Sequence, residues 1–307
     1  KKTFTPTGPL DLTQAEMVAM AKAGGGGRPT IREATQDDID ETIEMFVSAA
    51  DRAKRAGFDG AELHAAHGYI FSEFLSPAWN KRTDCYGGVH ENRARLLCET
   101  LRACRSVVGD DFPLWCRIDA EEFGEPGGIV LDQAVETARL AEAAGADAIH
   151  VSAYAPPLGA GFTQGPIVHE AGGYLGFAEA ISSAGSIPVI AVGRISPQKA
   201  EDVIRGGQAD FIAMGRPMLA DPGLPGKLRA GRPESVRPCI YCYTCVAQPF
   251  FDRRVRCAVN PVTAHESELA DRLHVGRHVA VLCAQVRHRS GFRMAGEGPR
   301  RDQDDAR

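Results

Sequence analysis

Ala144-Gly145-Ala146-Asp147-Ala148-Ile149-His150-Val151-Ser152 is the stretch that decides the fold. Its glycine can end a helix, and the apolar run behind it has the length of a strand. The phrase occurs twice more. Ala56-Gly57-Phe58-Asp59 leads into a strand from Ala61 to His64, and Gly206-Gly207-Gln208-Ala209-Asp210 leads into Phe211-Ile212-Ala213-Met214. Pro113 to Ile118 and Ile187 to Val192 read as two further strands, the second ending at Gly193-Arg194. Between them, Asn92 to Val108, Leu131 to Ala144, Phe177 to Ala184 and Pro197 to Arg205 carry helices. Ahead of the first strand, Thr35-Gln36-Asp37-Asp38 has the form of a capping box, with Asp38 where Glu or Gln is usual. Ile39, Ile43, Phe46, Val47 and Ala50 then recur at helical spacing.

Five short, mostly continuous apolar strands joined by helices predict a parallel sheet covered by helices. Polar residues gather just past the strand ends, as in an eight-stranded (β/α) barrel, the TIM barrel, with its site at the C-terminal rim. A doubly wound sheet is the alternative, but no strand is followed by G-x-G-x-x-G. Residues 1–34 read as a connector, since the glycine run Gly24 to Gly27 lacks the preceding strand that a phosphate loop needs. The expected fold is α/β: an incomplete (β/α)8 barrel over residues 35–235, about its last five strand–helix units, in a chain that begins inside its barrel.

With 307 residues, 44% hydrophobic and 24% charged, the chain can bury one large core and a small second one. A net charge of −5 makes no electrostatic case for nucleic acid. No apolar run approaches the roughly 20 residues that span a bilayer, and the start, Lys1-Lys2-Thr3-Phe4, has no signal-peptide core. A soluble cytoplasmic protein with no nucleic-acid or membrane partner is expected, and a homo-oligomer is left open.

Cys239, Cys242 and Cys245 form a C-x2-C-x2-C run, and Cys257 follows after eleven residues. In a chain without a secretory signal such thiols point to a metal centre before disulfides. Zinc usually takes two C-x2-C knuckles, whereas three close cysteines and a distant fourth fit a cubane iron–sulfur cluster better. Residues 236–266 are therefore expected to be an iron–sulfur segment, with zinc as the alternative.

Three further groups carry chemistry. His64-Ala65-Ala66-His67-Gly68-Tyr69 places two imidazoles and a phenol at a strand end, where they can donate to one small acceptor. A metal pair or satisfied loop histidines are the alternatives. Gly193-Arg194 and Gly215-Arg216 follow what would be the last two strands, where barrels commonly bind phosphate. Tight turns with solvated arginines would look the same. Arg117 is penultimate in the apolar strand Leu114-Trp115-Cys116-Arg117-Ile118, a costly place for a charge without a ligand or a carboxylate such as Asp119, Glu121 or Glu122.

Together these residues resemble the old yellow enzyme family of NADH:flavin oxidoreductases, in its iron–sulfur branch with 2,4-dienoyl-CoA reductase and trimethylamine dehydrogenase. The resemblance runs from about Thr35 to Glu266. Beyond the residues above it rests on Phe74-Leu75-Ser76-Pro77, Asn80-x-Arg82-x-Asp84-x-Tyr86-Gly87-Gly88, Glu91-Asn92-Arg93 and the Asn260-Pro261 behind the cysteines. It implies FMN over the barrel mouth, its phosphate at Gly193, Arg194, Gly215 and Arg216, and Arg117 facing the N1/O2 edge of the ring. His64 and His67 would hydrogen-bond the carbonyl oxygen of an α,β-unsaturated substrate, an oxyanion-hole role. Flavin would deliver hydride to the β-carbon and Tyr69 a proton to the α-carbon. A 4Fe-4S cluster on Cys239, Cys242, Cys245 and Cys257 would relay electrons from a second, FAD-containing domain reduced by NAD(P)H.

The chain departs from that pattern at both ends. The first three strands of the family have no counterpart. Arg277 to Leu282 resembles the first strand of the second nucleotide domain, yet Cys283-Ala284-Gln285-Val286-Arg287-His288 replaces its glycine-rich turn. Residues 267–307 are expected to be a truncated start of that domain or a disordered tail. Three readings of function remain: an ene reductase acting on an enone, enoate or enoyl-CoA, an amine dehydrogenase, and a non-catalytic metal-binding or electron-transfer fragment.

Overall fold

In the computed structural model, which describes residues 3–8, 31–154, 170–248 and 253–269, the chain divides into two units, residues 1–213 and 214–307. In the first unit, β1 (Thr3–Thr5) and β2 (Ile31–Glu33) pair in parallel with Phe4 opposite Arg32. Residues 1–34 are therefore not the strandless connector that their sequence suggests. Strands of three residues are too short to show a period of two. The glycine run at 24–27 lies outside the described residues.

α1 (Gln36–Arg55) begins at the capping box that the sequence predicts. The Thr35 hydroxyl accepts from the Asp38 amide at 3.3 Å, and the Asp38 carboxylate accepts from the Thr35 amide at 2.8 Å. The same carboxylate pairs with the Arg32 guanidinium, which ties β2 to the helix start. Gly57, with a φ of +81°, turns the chain out of the helix.

There follow β3 (Ala61–Ala65), α2 (Ile70–Leu75), α3 (His90–Val108), β4 (Leu114–Glu122), α4 (Leu131–Ala143), β5 (Ile149–Tyr154), α5 (Leu175–Ala184), β6 (Val189–Ala191), α6 (Pro197–Arg205) and β7 (Phe211–Ile212). The five strands from β3 to β7 form one parallel sheet in sequence order. A doubly wound sheet reverses its strand order at a switch point, whereas an unbroken order is that of the TIM barrel. Among the described residues β3 and β7 do not pair, so the barrel is open.

The two faces of this sheet differ. Leu63, Ala65, Leu114, Cys116, Ile118, Ile149 and Val151 are at most 3% exposed and form the core with the helices. Fully burying one such aliphatic side chain contributes about 1.5–3 kcal/mol. The alternate positions hold Glu62, His64, Trp115, Arg117, Asp119, His150 and Ser152. β3, β4 and β5 are thus apolar on one face only, where the sequence suggested mostly continuous apolar runs.

The segment after α2 acts as scaffold. Buried Asn80 donates to the carbonyls of Phe74 and Tyr86, both at 2.7 Å. Arg82 donates to the carbonyls of Pro6 at 2.9 Å and Ala34 at 2.8 Å. A Cβ on Gly87 would lie 2.2 Å from the Arg82 carbonyl oxygen, so no other residue fits there. Arg93 Nε closes the segment on the Leu75 carbonyl at 2.8 Å.

The second unit contains α7 (Gly215–Ala220), α8 (Leu224–Arg229), α9 (Thr244–Ala247) and α10 (Glu266–Leu269). Asp221, 5% exposed, accepts from Lys227 Nζ at 2.6 Å and from the Arg237 amide at 2.7 Å. Asn260 Nδ2 and the Thr263 hydroxyl both donate to the Leu219 carbonyl, at 2.8 and 3.1 Å. The suggested strand 277–282 and the tail beyond it lie outside the described residues. No helix among the described residues is long and apolar enough to cross a membrane.

Candidate functional site

Strand register brings the first group together. His64 on β3 stands opposite Arg117 on β4, and Arg117 stands opposite His150 on β5. Past the end of β3, His67 and Gly68 take left-handed φ values of 66° and 70°. A left-handed histidine is strained unless its surroundings hold it. The His67 amide donates to Asp119 Oδ2 at 2.6 Å, and the Gly68 amide donates to the Ser72 hydroxyl at 2.8 Å. Tyr154 packs over this turn, and a Cβ on Gly68 would come within 2.8 Å of its hydroxyl oxygen.

The turn aims three side chains at one another. The His64 ring lies 4.9 Å from the His67 ring and 5.0 Å from the Tyr69 ring, between centroids. Tyr69, the residue before α2, is 60% exposed and presents its phenol to the open side. The predicted donors His64, His67 and Tyr69 therefore form one cluster, with Arg117 on the adjoining strand.

The imidazoles of the cluster are neutral beside the Arg117 charge. Burial, reinforced by the Arg117 charge, pushes the His67 imidazole down to about 2. The same two causes lower His64. Burial also lowers Arg117, although Glu62 and Asp119 act against it. Burial raises Asp119 well above the usual carboxylate range and moves the Tyr154 phenol up to about 12. Asp119 spends its Oδ2 on the His67 amide, while its Oδ1 is buried without a hydrogen-bond partner.

Several residues here escape sequence reasoning. Ser152, fully buried on β5, bonds His67 Nε2 at 2.7 Å and accepts from Arg117 Nη2 at 3.4 Å. Glu62 accepts from Trp115 Nε1 at 2.7 Å and bonds His150 Nδ1 at 2.6 Å. His150, Ser152 and Tyr154 alternate along β5, and that polar stripe with a period of two was the available signal. His64 Nδ1 and Arg117 Nε are buried and have no hydrogen-bond partner among the described residues. They fit a ligand that brings acceptor atoms, as the pyrimidine edge of a flavin does.

Gly193 follows β6 with a φ of +118°, and a Cβ there would meet the Tyr174 ring at 3.0 Å. Gly215 and Arg216 open α7 in the second unit. There the Arg216 guanidinium carbon lies 4.9 Å from the Tyr241 ring centroid and 5.4 Å from that of Tyr243. Both tyrosines are left-handed and alternate with the cysteines. Cys239, Cys242, Cys245 and Cys257 are free thiols that line one shallow pocket, open to solvent, with Arg216 on its wall. No three His, Cys, Asp or Glu among the described residues gather closely enough to hold a single metal ion.

The chain is 43% identical over 242 residues to NADH oxidase of Thermoanaerobacter brockii, covering 76% of this chain and 36% of that protein. The structure is similar to that of 2-naphthoyl-CoA reductase in complex with 2-naphthoyl-CoA, with a TM-score of 0.78 and 33% identity over 88% of this chain and 39% of that one. Histamine dehydrogenase from Rhizobium sp. 4-9 is similar with a TM-score of 0.74 and 31% identity, over 87% and 37% of the two chains. The chain thus spans less than two-fifths of the length of these relatives. The sequence profile of the NADH:flavin oxidoreductase / NADH oxidase family matches residues 6–235, and the chain belongs to that family.

Proposed function

We propose that this protein reduces the C=C bond of an α,β-unsaturated carbonyl compound, an enone, enoate or enoyl-CoA, with FMN as its cofactor and NAD(P)H as the source of electrons. The observation that carries this reading is the grouping of His64, His67 and Tyr69 beside Arg117, with both imidazoles held neutral by burial and by the Arg117 charge. Such a site favours an oxygen on which negative charge develops. FMN, when bound, supplies the hydride. His64 and His67 donate to the carbonyl oxygen and align the alkene. Tyr69, exposed at the rim, gives its proton to the α-carbon. Arg117 would lie along the pyrimidine edge of the flavin, and Gly193, Arg194, Gly215 and Arg216 would hold its phosphate. Cys239, Cys242, Cys245 and Cys257 would ligate a 4Fe-4S cluster, which would supply single electrons.

The likeness to histamine dehydrogenase keeps amine oxidation as a second reading. An ammonium substrate would be repelled by Arg117 and offers no oxygen to two imidazole donors. Anaerobic half-reactions separate the two. Protein loaded with FMN should be reduced by NADH or NADPH and reoxidised by an enoyl thioester or a simple enone. Reduction of the flavin by an amine, with no reoxidation by any unsaturated carbonyl, would overturn the proposal. Failure to retain FMN would leave the electron-transfer fragment as the better account.

A further inference from the structure

We infer that Ser152 is a positioning residue that fixes the ring proton of His67 on Nδ1, so that His67 presents an N–H, not a lone pair, to its ligand. The inference deepens the proposed function and rests on it for the identity of that ligand. The argument is a count of hydrogens. Ser152 Oγ is fully buried and contacts His67 Nε2 at 2.7 Å and Arg117 Nη2 at 3.4 Å. A guanidinium only donates, so the contact with Arg117 occupies a lone pair of the serine. One hydroxyl hydrogen remains, and His67 Nε2 is the acceptor in reach. Asp119 Oδ1 lies 3.8 Å from His67 Nε2, beyond hydrogen-bond distance, and takes no hydrogen bond. A nitrogen that accepts carries no hydrogen. The neutral imidazole has one ring hydrogen, which must then be on Nδ1.

The alternative, Nε2–H donating to Ser152, would leave the serine accepting twice and its own hydrogen buried without a partner, which is costly. The backbone gives the arrangement little freedom. Ser152 pairs in register with Asp119, and the Asp119 side chain holds the His67 amide at 2.6 Å, so both ends of the histidine are fixed by adjoining strands. The consequence is a choice of substrate class. With Nδ1–H the ring stabilises a carbonyl oxygen that is becoming an enolate. With the other tautomer it would offer a lone pair suited to the N–H of an amine.

Two-dimensional 1H–15N spectra of protein with 15N-labelled histidine distinguish protonated from unprotonated ring nitrogens, and the His67 signals are those lost in His67→Gln. Wild-type protein should show a protonated Nδ1 and an unprotonated Nε2. Ser152→Thr keeps the hydroxyl and should keep this pattern, while Ser152→Ala should release the tautomer and give a mixture. A protonated Nε2 in the wild type, or an unchanged spectrum in Ser152→Ala, overturns the inference. Kinetics test the underlying reading separately. In Ser152→Ala the reoxidation of reduced flavin by an enone should slow about tenfold, the scale of one neutral hydrogen bond, and Ser152→Thr should restore it. The expected spectra without any kinetic effect would uphold the tautomer assignment and remove the donor role of His67.

Discussion

His67 and Asp119, 52 positions apart, are joined by a 2.6 Å hydrogen bond from the backbone amide of one to the carboxylate of the other. That bond holds the histidine in a conformation its side chain disfavours. Asp119→Ala should strand a part-buried amide and cost about 1 kcal/mol in denaturant unfolding. Asp119→Asn keeps an acceptor oxygen and should cost much less. Equal losses in the two variants would show that the carboxamide cannot replace the carboxylate as acceptor.

Glu73 gives a prediction in pH. Burial raises its carboxyl from 4.5 to about 7. The folded state therefore holds a proton that the unfolded chain releases, so stability falls as pH rises. The contribution is complete below pH 4.5 and is lost by the time pH has risen through about 7. Glu73→Gln should remove this slope, which melting temperatures measured between those limits will show.

Tyr69→Phe removes one acidic proton and little else. Flavin reduction by NAD(P)H should survive, while alkene reduction slows by roughly 10²–10⁴-fold, the usual contribution of a general acid. Stopped-flow measurement of each half-reaction decides it. Slower flavin reduction with intact alkene reduction would exclude the tyrosine as proton donor.

The cysteine pocket predicts brown protein on anaerobic purification, with iron and sulfide near four of each per chain. Cys242→Ser should abolish the centre and loosen the loop, because ligation supplies folding energy. Stoichiometric zinc would refute the assignment.

Arg216→Ala should weaken FMN binding by about 1.5–3 kcal/mol, the scale of a hydrogen bond to a charged group. It should also disturb the cysteine loop, since Tyr241 and Tyr243 both pack on this guanidinium. Unchanged FMN affinity would remove Arg216 from the phosphate site.

The elements most legible in the sequence were those set by local chemistry. Thr35 and Asp38 cap α1 through each other, and α6 spans Pro197–Arg205, the limits its sequence suggests. What local pattern could not show depends on partners far along the chain. β4 continues through Asp119-Ala120-Glu121-Glu122, past Ile118 where the sequence suggests its end. Glu122 is nonetheless buried, accepting from the Ser76 hydroxyl at 2.5 Å and the Ile129 amide at 2.8 Å. The cluster of His64, His67, Tyr69 and Arg117 was legible because three of its members share one turn. Ser152 was not, because its role appears only when β5 lies beside β4.

The alternation of β4 from Leu114 to Ile118, ahead of its register shift, also shapes how this protein can change. Cys116 and Ile118 answer to the helices behind them, and Trp115 and Arg117 to the opposite face. Single substitutions along the strand can therefore alter chemistry or packing separately, and new specificities are reachable one inward position at a time. Loss of one residue has no such separability. It would turn Arg117 into the helix layer and an aliphatic side chain into the site, so a folding defect and a chemical defect would arise together.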